Sequence, residues 1–326
     1  MMNLSGSKIF AGDALDLFAQ IPDNSVQLCV TSPPYNIGKS YEKDDPKKFS
    51  EYSAWLKEIL QQVERTLVDG GSLCLQLGSH VRDGILVPLD YEFYPFLIEI
   101  GLTFRNRIIW RYNFGYNAVK RLSGRYEVIL WFTKGGEYKF NLDPIRVKQL
   151  YPGKRHSASK GDKAGKPSGN PRGKNPSDYW EFDPESAFFG EPVWNIPNVK
   201  ANHPEKVADH PCQFPSELVE RCVLAMTDSG DVVLDPFVGT GTSVICADLH
   251  NRVGLGFEII DGYAADANRR LELAREGRLI LRRSGMEPRT PKPGERVSTL
   301  PEEWRQDMEG DLGAGNEEIG KETTEA

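Results

Sequence analysis

The stretch from Asp231 to Glu258 restricts the fold more than any other part of the chain. Asp231–Leu234 is an apolar run of strand length, and Asp235-Pro236-Phe237-Val238-Gly239-Thr240-Gly241-Thr242 is a turn with two glycines. Ser243–Leu249 has the pattern of a helix, and Val253–Phe257 is a second apolar run that ends in Glu258. Strand, tight turn, helix and strand in so short a space make a βαβ crossover, which puts the two strands parallel. Parallel strands are buried on both faces, so the rest of the chain must supply more strands and two layers of helices. Five further apolar runs qualify as strands: 8–10, 26–31, 72–77, 105–110 and 127–133. The expected fold is therefore α/β, a doubly wound, mostly parallel seven-stranded sheet.

Helical spacing of Trp55, Ile59, Val63 and Leu67 predicts an amphipathic helix over Tyr52–Leu67, ended by Asp69-Gly70-Gly71. Further helices are expected over 14–19 with Asp13 as N-cap, over 89–100 around Pro95, over 216–226 with Ser216 as N-cap, and over 266–275.

The glycine turn also carries chemistry. Glycines let backbone approach a ligand, and a carboxylate at the next strand end can hold both hydroxyls of a ribose. The turn lacks the G-x-G-x-x-G spacing, and its strand ends in an acid. A carboxylate there repels a pyrophosphate and suits the cationic amino group of a methionine moiety. That favours S-adenosylmethionine over a nicotinamide dinucleotide. Doubly wound sheets bind ligands at the carboxyl ends of their strands. Asp13, Ser32, Asp235 and Glu258 all stand at such ends, so one crevice can take a cofactor and a second substrate.

Thr31-Ser32-Pro33-Pro34-Tyr35-Asn36 follows the strand at 26–31. The prolines lack N–H donors and fix φ, so the strand stops in a stiff turn. An amino group lying there can donate to the Ser32 hydroxyl and the Pro33 carbonyl, and a flat ring carrying it can stack on Tyr35. The plainer alternative is a rigid turn that only ends a strand.

Charge is segregated along the chain. The net charge is −7, yet nine acidic and two basic residues fall within 302–326, so the body before that tail is neutral. Residues 146–180 hold nine basic side chains against Asp162 and Asp178. Such a block suits a polyanion, with Lys154, Arg155, Lys160, Lys163, Lys166, Arg172 and Lys174 as candidate phosphate contacts and Tyr151, Tyr179 and Trp180 beside them. A linker is the alternative reading of this Gly-, Pro- and Ser-rich composition. Residues 36–50 read as a mobile loop beside the site. Five cysteines without a C-x-x-C pair suit reduced thiols, and Cys29 reads as strand core. The five histidines show no metal spacing, so no metal is expected; His80, His156, His203 and His250 read as surface or loop residues. No apolar run is long enough for a membrane helix, and the first residues lack a signal peptide's pattern.

Ser32-Pro33-Pro34-Tyr35 and Asp-Pro-Phe-x-Gly-x-Gly resemble the catalytic and cofactor motifs of DNA methyltransferases that act on exocyclic amino groups, cytosine N4 or adenine N6. His210-Pro211-Cys212-Gln213-Phe214-Pro215 resembles their His-Pro-x-Gln-x-Pro segment, with Phe214 where a lysine is common. Catalytic turn first, basic segment next and cofactor turn last is the β-type, circularly permuted order of that family. The resemblance covers about 8–280 and implies a catalytic half at 1–139, a basic target-recognition region at 140–200, a cofactor-binding half at 201–284 and a disordered acidic tail at 285–326. It implies catalysis by Ser32, Pro33, Pro34 and Tyr35. It implies cofactor binding by Asp13, Phe214, Ser216, Asp235, Phe237, Gly239, Gly241, Thr242 and Glu258. Double-stranded DNA is the implied substrate, with the base flipped out of the stack. The Ser-led turn leans to cytosine N4, while Asn36 also occurs in adenine enzymes. A homodimer and a cognate restriction endonuclease are compatible with the resemblance, in the cytoplasm of a prokaryotic or phage-infected cell. Competing classes are an RNA or protein-amide methyltransferase and a non-catalytic DNA-binding module. No general base is identified.

Overall fold

The computed structural model describes residues 1–37, 47–82, 84–112, 118–147, 153–157, 161–181 and 212–281. Part of the 36–50 loop, Tyr151, Lys160, His203, His210, Pro211 and the acidic tail lie outside them. The described residues belong to one compact unit, Met1–Ser284.

The seven expected strands all form. They are β1 (Lys8–Ala11), β2 (Val26–Thr31), β3 (Leu67–Leu77), β6 (Leu102–Arg111), β7 (Tyr126–Lys134), β9 (Val232–Asp235) and β10 (Val253–Glu258). An eighth, β8 (Tyr179–Glu181), joins the edge of the same sheet from the basic region. The order is β1-β10-β9-β2-β3-β7-β6-β8. β1, β10, β9, β2 and β3 run parallel, β7 is antiparallel to β3 and β6, and β8 is parallel to β6. Strands from both ends of the chain thus interleave at the centre.

Two helical layers cover the sheet. Helices α1 (Ala14–Phe18), α2 (Phe49–Thr66) and α3 (Leu89–Glu99) bury Phe18, Leu56, Leu60 and Phe93 against β2, β3 and β7. Helices α4 (Ser216–Met226), α5 (Thr242–Leu249) and α6 (Asp261–Arg275) cover the other face, where Val219, Val223 and Cys246 meet Leu28, Val30 and Val233. Cys29 is fully buried on the α1–α3 face of the sheet, between Leu28 and Val30, which face the other way.

Several boundaries differ from expectation. α2 ends at Thr66, and Asp69-Gly70-Gly71 belongs to β3 instead of terminating the helix. Leu67 is extended and buried, and it pairs with Val26, so sheet pairing overrides the helical pattern. Pro215, not Ser216, is the N-cap of α4, and Ser216 is its first residue. α6 begins five residues earlier than predicted, where a Glu258 oxygen accepts from the Ile260 N–H at 2.9 Å. A hairpin of β4 (Ser79–Arg82) and β5 (Ile85–Pro88) is an addition. It corrects the reading of His80, which is buried in β4 and not a surface residue.

Candidate active site

β9 and β2 are neighbours at the centre of the sheet. From β9 the chain crosses to β10 on one side, and from β1 it crosses to β2 on the other. This is the switch point at which a doubly wound sheet opens a crevice. Asp235 and Ser32 flank it, with Glu258 and Asp13 at the next two strand ends.

The glycine turn owes its path to positive φ. Gly239 has φ 51° and Gly241 φ 83°. A Cβ on Gly241 would lie 3.0 Å from Cβ of Ala267, so the turn presses on α6. Buried Arg270 of α6 donates to the Thr240 carbonyl. Phe237 packs on Trp55 of α2, centroids 5.4 Å apart. Glu258 accepts from the Gly239 N–H at 3.0 Å, and burial raises its carboxyl above the usual range. The Asp13 side chain caps α1 by accepting from the Leu15 N–H at 2.8 Å. The Gly12 N–H donates to the Glu258 carbonyl at 2.9 Å, so these two strand ends are tied together.

Asp235 is fully buried. One oxygen accepts from the Thr31 hydroxyl at 2.6 Å and the Phe237 N–H at 3.0 Å, and the other from the Ser243 hydroxyl at 2.6 Å. Burial is the largest influence on its carboxyl and pushes it up to about 6, against the lowering effect of those three donors. Phe214 lies partly buried against the α4 side of the core, and Ser216 is buried with its carbonyl accepting from the Cys246 thiol at 3.4 Å.

The proline turn is held differently. Tyr35 places its hydroxyl 3.3 Å from Ser32 Oγ. A Cβ on Gly78 would lie 2.8 Å from Cε2 of Tyr35, so only a glycine at the end of β3 admits the ring. The Tyr35 carbonyl lies 3.3 Å from Nδ1 of His80. Asn36 then takes a left-handed φ of 55°, a conformation asparagine tolerates, and its amide donates to the Lys47 carbonyl at 3.0 Å. Burial pushes the Tyr35 phenol well above its usual value, and the charge of Glu127 adds to the effect. Tyr35 therefore stays protonated.

Three residues on the β3, β7 and β6 side of the crevice are additions to the predicted site. Gln76 donates to Glu127, and the Tyr112 hydroxyl donates to the other Glu127 oxygen at 3.4 Å. Burial raises the Tyr112 phenol well above its usual value, and the charge of Glu127 adds to the effect. A lone acid inside the apolar run 127–133, and the Gly78-Ser79-His80 break after β3, are the signals in the sequence that point here.

The basic segment is partly committed to its own fold. Lys154, Arg155, Lys163 and Lys166 are exposed. Arg172 is exposed but ion-paired with Asp143. Lys174 is half-buried, and its backbone pairs with Val147. Arg146 bonds Asp143 at 2.7 Å and the Gly173 carbonyl at 3.1 Å. Among the described residues no group of three His, Cys, Asp or Glu side chains is placed to hold a metal, and no helix is long and apolar enough to cross a membrane.

A family model described as DNA methylase matches residues 26–269. The Type II methyltransferase M.BglII of Bacillus subtilis is 46% identical over 258 residues, which cover 79% of this chain and 66% of that one. The chain thus spans just under two thirds of that relative's length. The Type II methyltransferase M.ScaI of Streptomyces caespitosus is 34% identical over 271 residues, 81% of each chain. A Thermus thermophilus protein solved as a complex with S-adenosyl-L-methionine has a TM-score of 0.55 at 27% identity, covering 82% of this chain and 94% of that one.

Proposed function

The chain belongs to the DNA methylase family, and from that premise we propose that it moves a methyl group from S-adenosylmethionine to the exocyclic amino group of a base in double-stranded DNA. The favoured acceptor is cytosine N4. The observation that carries this reading is the Ser32-Pro33-Pro34-Tyr35 turn, set at the switch point beside the glycine turn.

The cofactor supplies an electrophilic methyl on a sulfonium. The residues present fit it: the turn at 239–241 runs through two positive-φ glycines that carry no side chain into the crevice, and acids stand at the strand ends on both sides. Glu258 holds the ribose hydroxyls, and Phe237, Gly239, Gly241 and Thr242 line the turn. Asp13, Phe214 and Ser216 complete the cradle, and Asp235 supports it from behind. Ser32 Oγ and the Pro33 carbonyl accept the hydrogens of the base amino group, which draws its lone pair out of the ring. With the nitrogen and the methyl held in line, the N–C bond would form as the S–C bond breaks to leave a neutral thioether, the surplus amino proton would pass to solvent, and the gain is mainly one of positioning. A base in duplex DNA reaches this depth only when flipped out, and Tyr35 is its stacking partner. Lys154, Arg155, Lys163 and Lys166, with Lys160, Arg172 and Lys174, contact phosphates.

The 1–139, 140–200 and 201–284 division follows from the same assignment. A homodimer is supported by an apolar stripe on α3 and β5, where Tyr91 is 79% exposed and Ile85 66%, with Tyr94, Ile98 and Leu86 beside them. The Type II names of the relatives support a cognate restriction endonuclease, and their bacterial sources support work in the cytoplasm of a prokaryotic or phage-infected cell.

The test is methylation of duplex DNA by the purified chain, followed by nuclease digestion and mass spectrometry of the nucleosides. N4-methylcytosine is expected. N6-methyladenine alone would overturn the choice of base, and no methylated base at all would overturn the reaction.

A further inference from the structure

We propose that Asp235 is a positioning residue for Ser32, acting through Thr31 to fix the catalytic turn against the cofactor turn. The inference rests on the methyl-transfer reading above. Asp235 is 2% exposed, and Thr31 and Ser243 are equally enclosed. Its two oxygens already accept three hydrogen bonds from the chain itself. A carboxylate so surrounded has no open side for a ligand, so its work is internal.

The geometry shows what that work is. The backbone ladder between β2 and β9 consists of Leu28↔Val233 and Cys29↔Leu234 and goes no further. Beyond it, at the rim where both turns begin, the Thr31–Asp235 bond carries the link onward. Thr31 directly precedes Ser32. Phe237 and Ser243 begin the glycine turn and its helix. One side chain therefore joins β2, β9, the cofactor turn and α5, and any shift of the cofactor turn is felt one residue from Ser32. Packing alone does not need this arrangement, because a valine would fill the space of Thr31 with no buried hydroxyl to satisfy.

Ionisation matters to the strut. The carboxylate accepts from all three donors, whereas a proton on either oxygen turns the Thr31 or the Ser243 hydroxyl from donor to acceptor and so loosens the set. The titratable groups facing it are Glu258 on β10 and Cys29 on β2. On the turn and α5 side it faces the Phe237 N–H and the Ser243 hydroxyl, neither of which titrates.

The experiment compares the full chain with Thr31→Val and Thr31→Ser on duplex DNA between pH 5 and 8. Thr31→Val is expected to lower kcat by at least about tenfold, with cofactor affinity by calorimetry held within about twofold, and Thr31→Ser to restore turnover. Wild-type kcat should fall as the pH drops through about 6, and this acid limb should vanish in Thr31→Val. Unaltered kcat in Thr31→Val, cofactor affinity lost in step with kcat, or a retained acid limb would each overturn the proposal. Amide exchange over Val30–Asn36 reads the strut without turnover: Thr31→Val should speed it, and unchanged exchange would also overturn it. Wild-type methylation in the same assay reports separately on the reaction.

Discussion

The two turns at the switch point are rigid for opposite reasons. The proline turn is stiff by covalent geometry, since Pro33 and Pro34 fix φ whatever surrounds them. The polar contacts of its Tyr35, to Ser32 and to His80, are long, at 3.3 Å each, and its short ones lie at the two ends, Thr31 to Asp235 and Asn36 to Lys47. The glycine turn has no intrinsic stiffness. Its positive-φ residues are held by Asp235, Glu258, Arg270 and the press of Ala267. Damage to the glycine turn should therefore reach the fold and the cofactor, while damage around the proline turn should reach turnover alone.

The largest expected effect comes from the carboxylate under the glycine turn. A folded-state value of about 6 for Asp235 lies above its ordinary value of 3.8, so between those limits the folded chain binds the extra proton. Its contribution is complete below the unfolded value and is lost as pH rises through about 6, a swing of about 3 kcal/mol. The stability difference between wild type and Asp235→Asn, measured by denaturation from pH 3.5 to 7, should trace that slope. A flat difference would remove Asp235 from the account.

Gly241→Ala forces a side chain to φ 83° and puts its Cβ against Ala267. It should cost about 2–3 kcal/mol in denaturant unfolding and weaken the cofactor as well. Glu258→Ala should weaken S-adenosylmethionine by about 1.5–3 kcal/mol in calorimetry, through loss of a charge-assisted contact. Equal affinity in that variant would reassign the ribose. The smallest change is expected at Gly78→Ala, whose Cβ displaces only the Tyr35 ring. Stability should shift by less than about 1 kcal/mol while kcat falls about tenfold. If Gly78→Ala unfolds the chain instead, the proline turn depends on its surroundings as much as the glycine turn does.

The sequence carries the sheet further than it carries the site. All seven main strands lie in apolar runs long enough to read. β8 has only three residues, and β4, which pairs with β5 in a hairpin, holds a single apolar residue, Val81, among Ser79, His80 and Arg82, so neither stands out as an apolar run. His80, inside that short hairpin, therefore reads from sequence as a surface residue. The α2 boundary misleads because Leu67 continues the helical spacing while its backbone pairs with Val26. At the site, the turns are legible as motifs, but their supports are not. Thr31 bonds Asp235 across 204 positions of sequence, and Arg270 caps Thr240 from 30 positions away. No spacing rule links such residues, because tertiary packing alone brings them together.

The interleaved strand order also bears on how the chain comes to be folded as it is made. Ile9 pairs with Gly256 and Leu28 with Val233, so β1 and β2 wait for strands made much later in the chain. Until β9 and β10 emerge, β1 has no neighbour and β2 presents a bare edge. Such distant pairings close slowly, and open edges invite association between nascent chains. The strands that build the crevice thus keep open edges until β9 and β10 are made, and over that interval the growing chain is most exposed to a holdase or to aggregation.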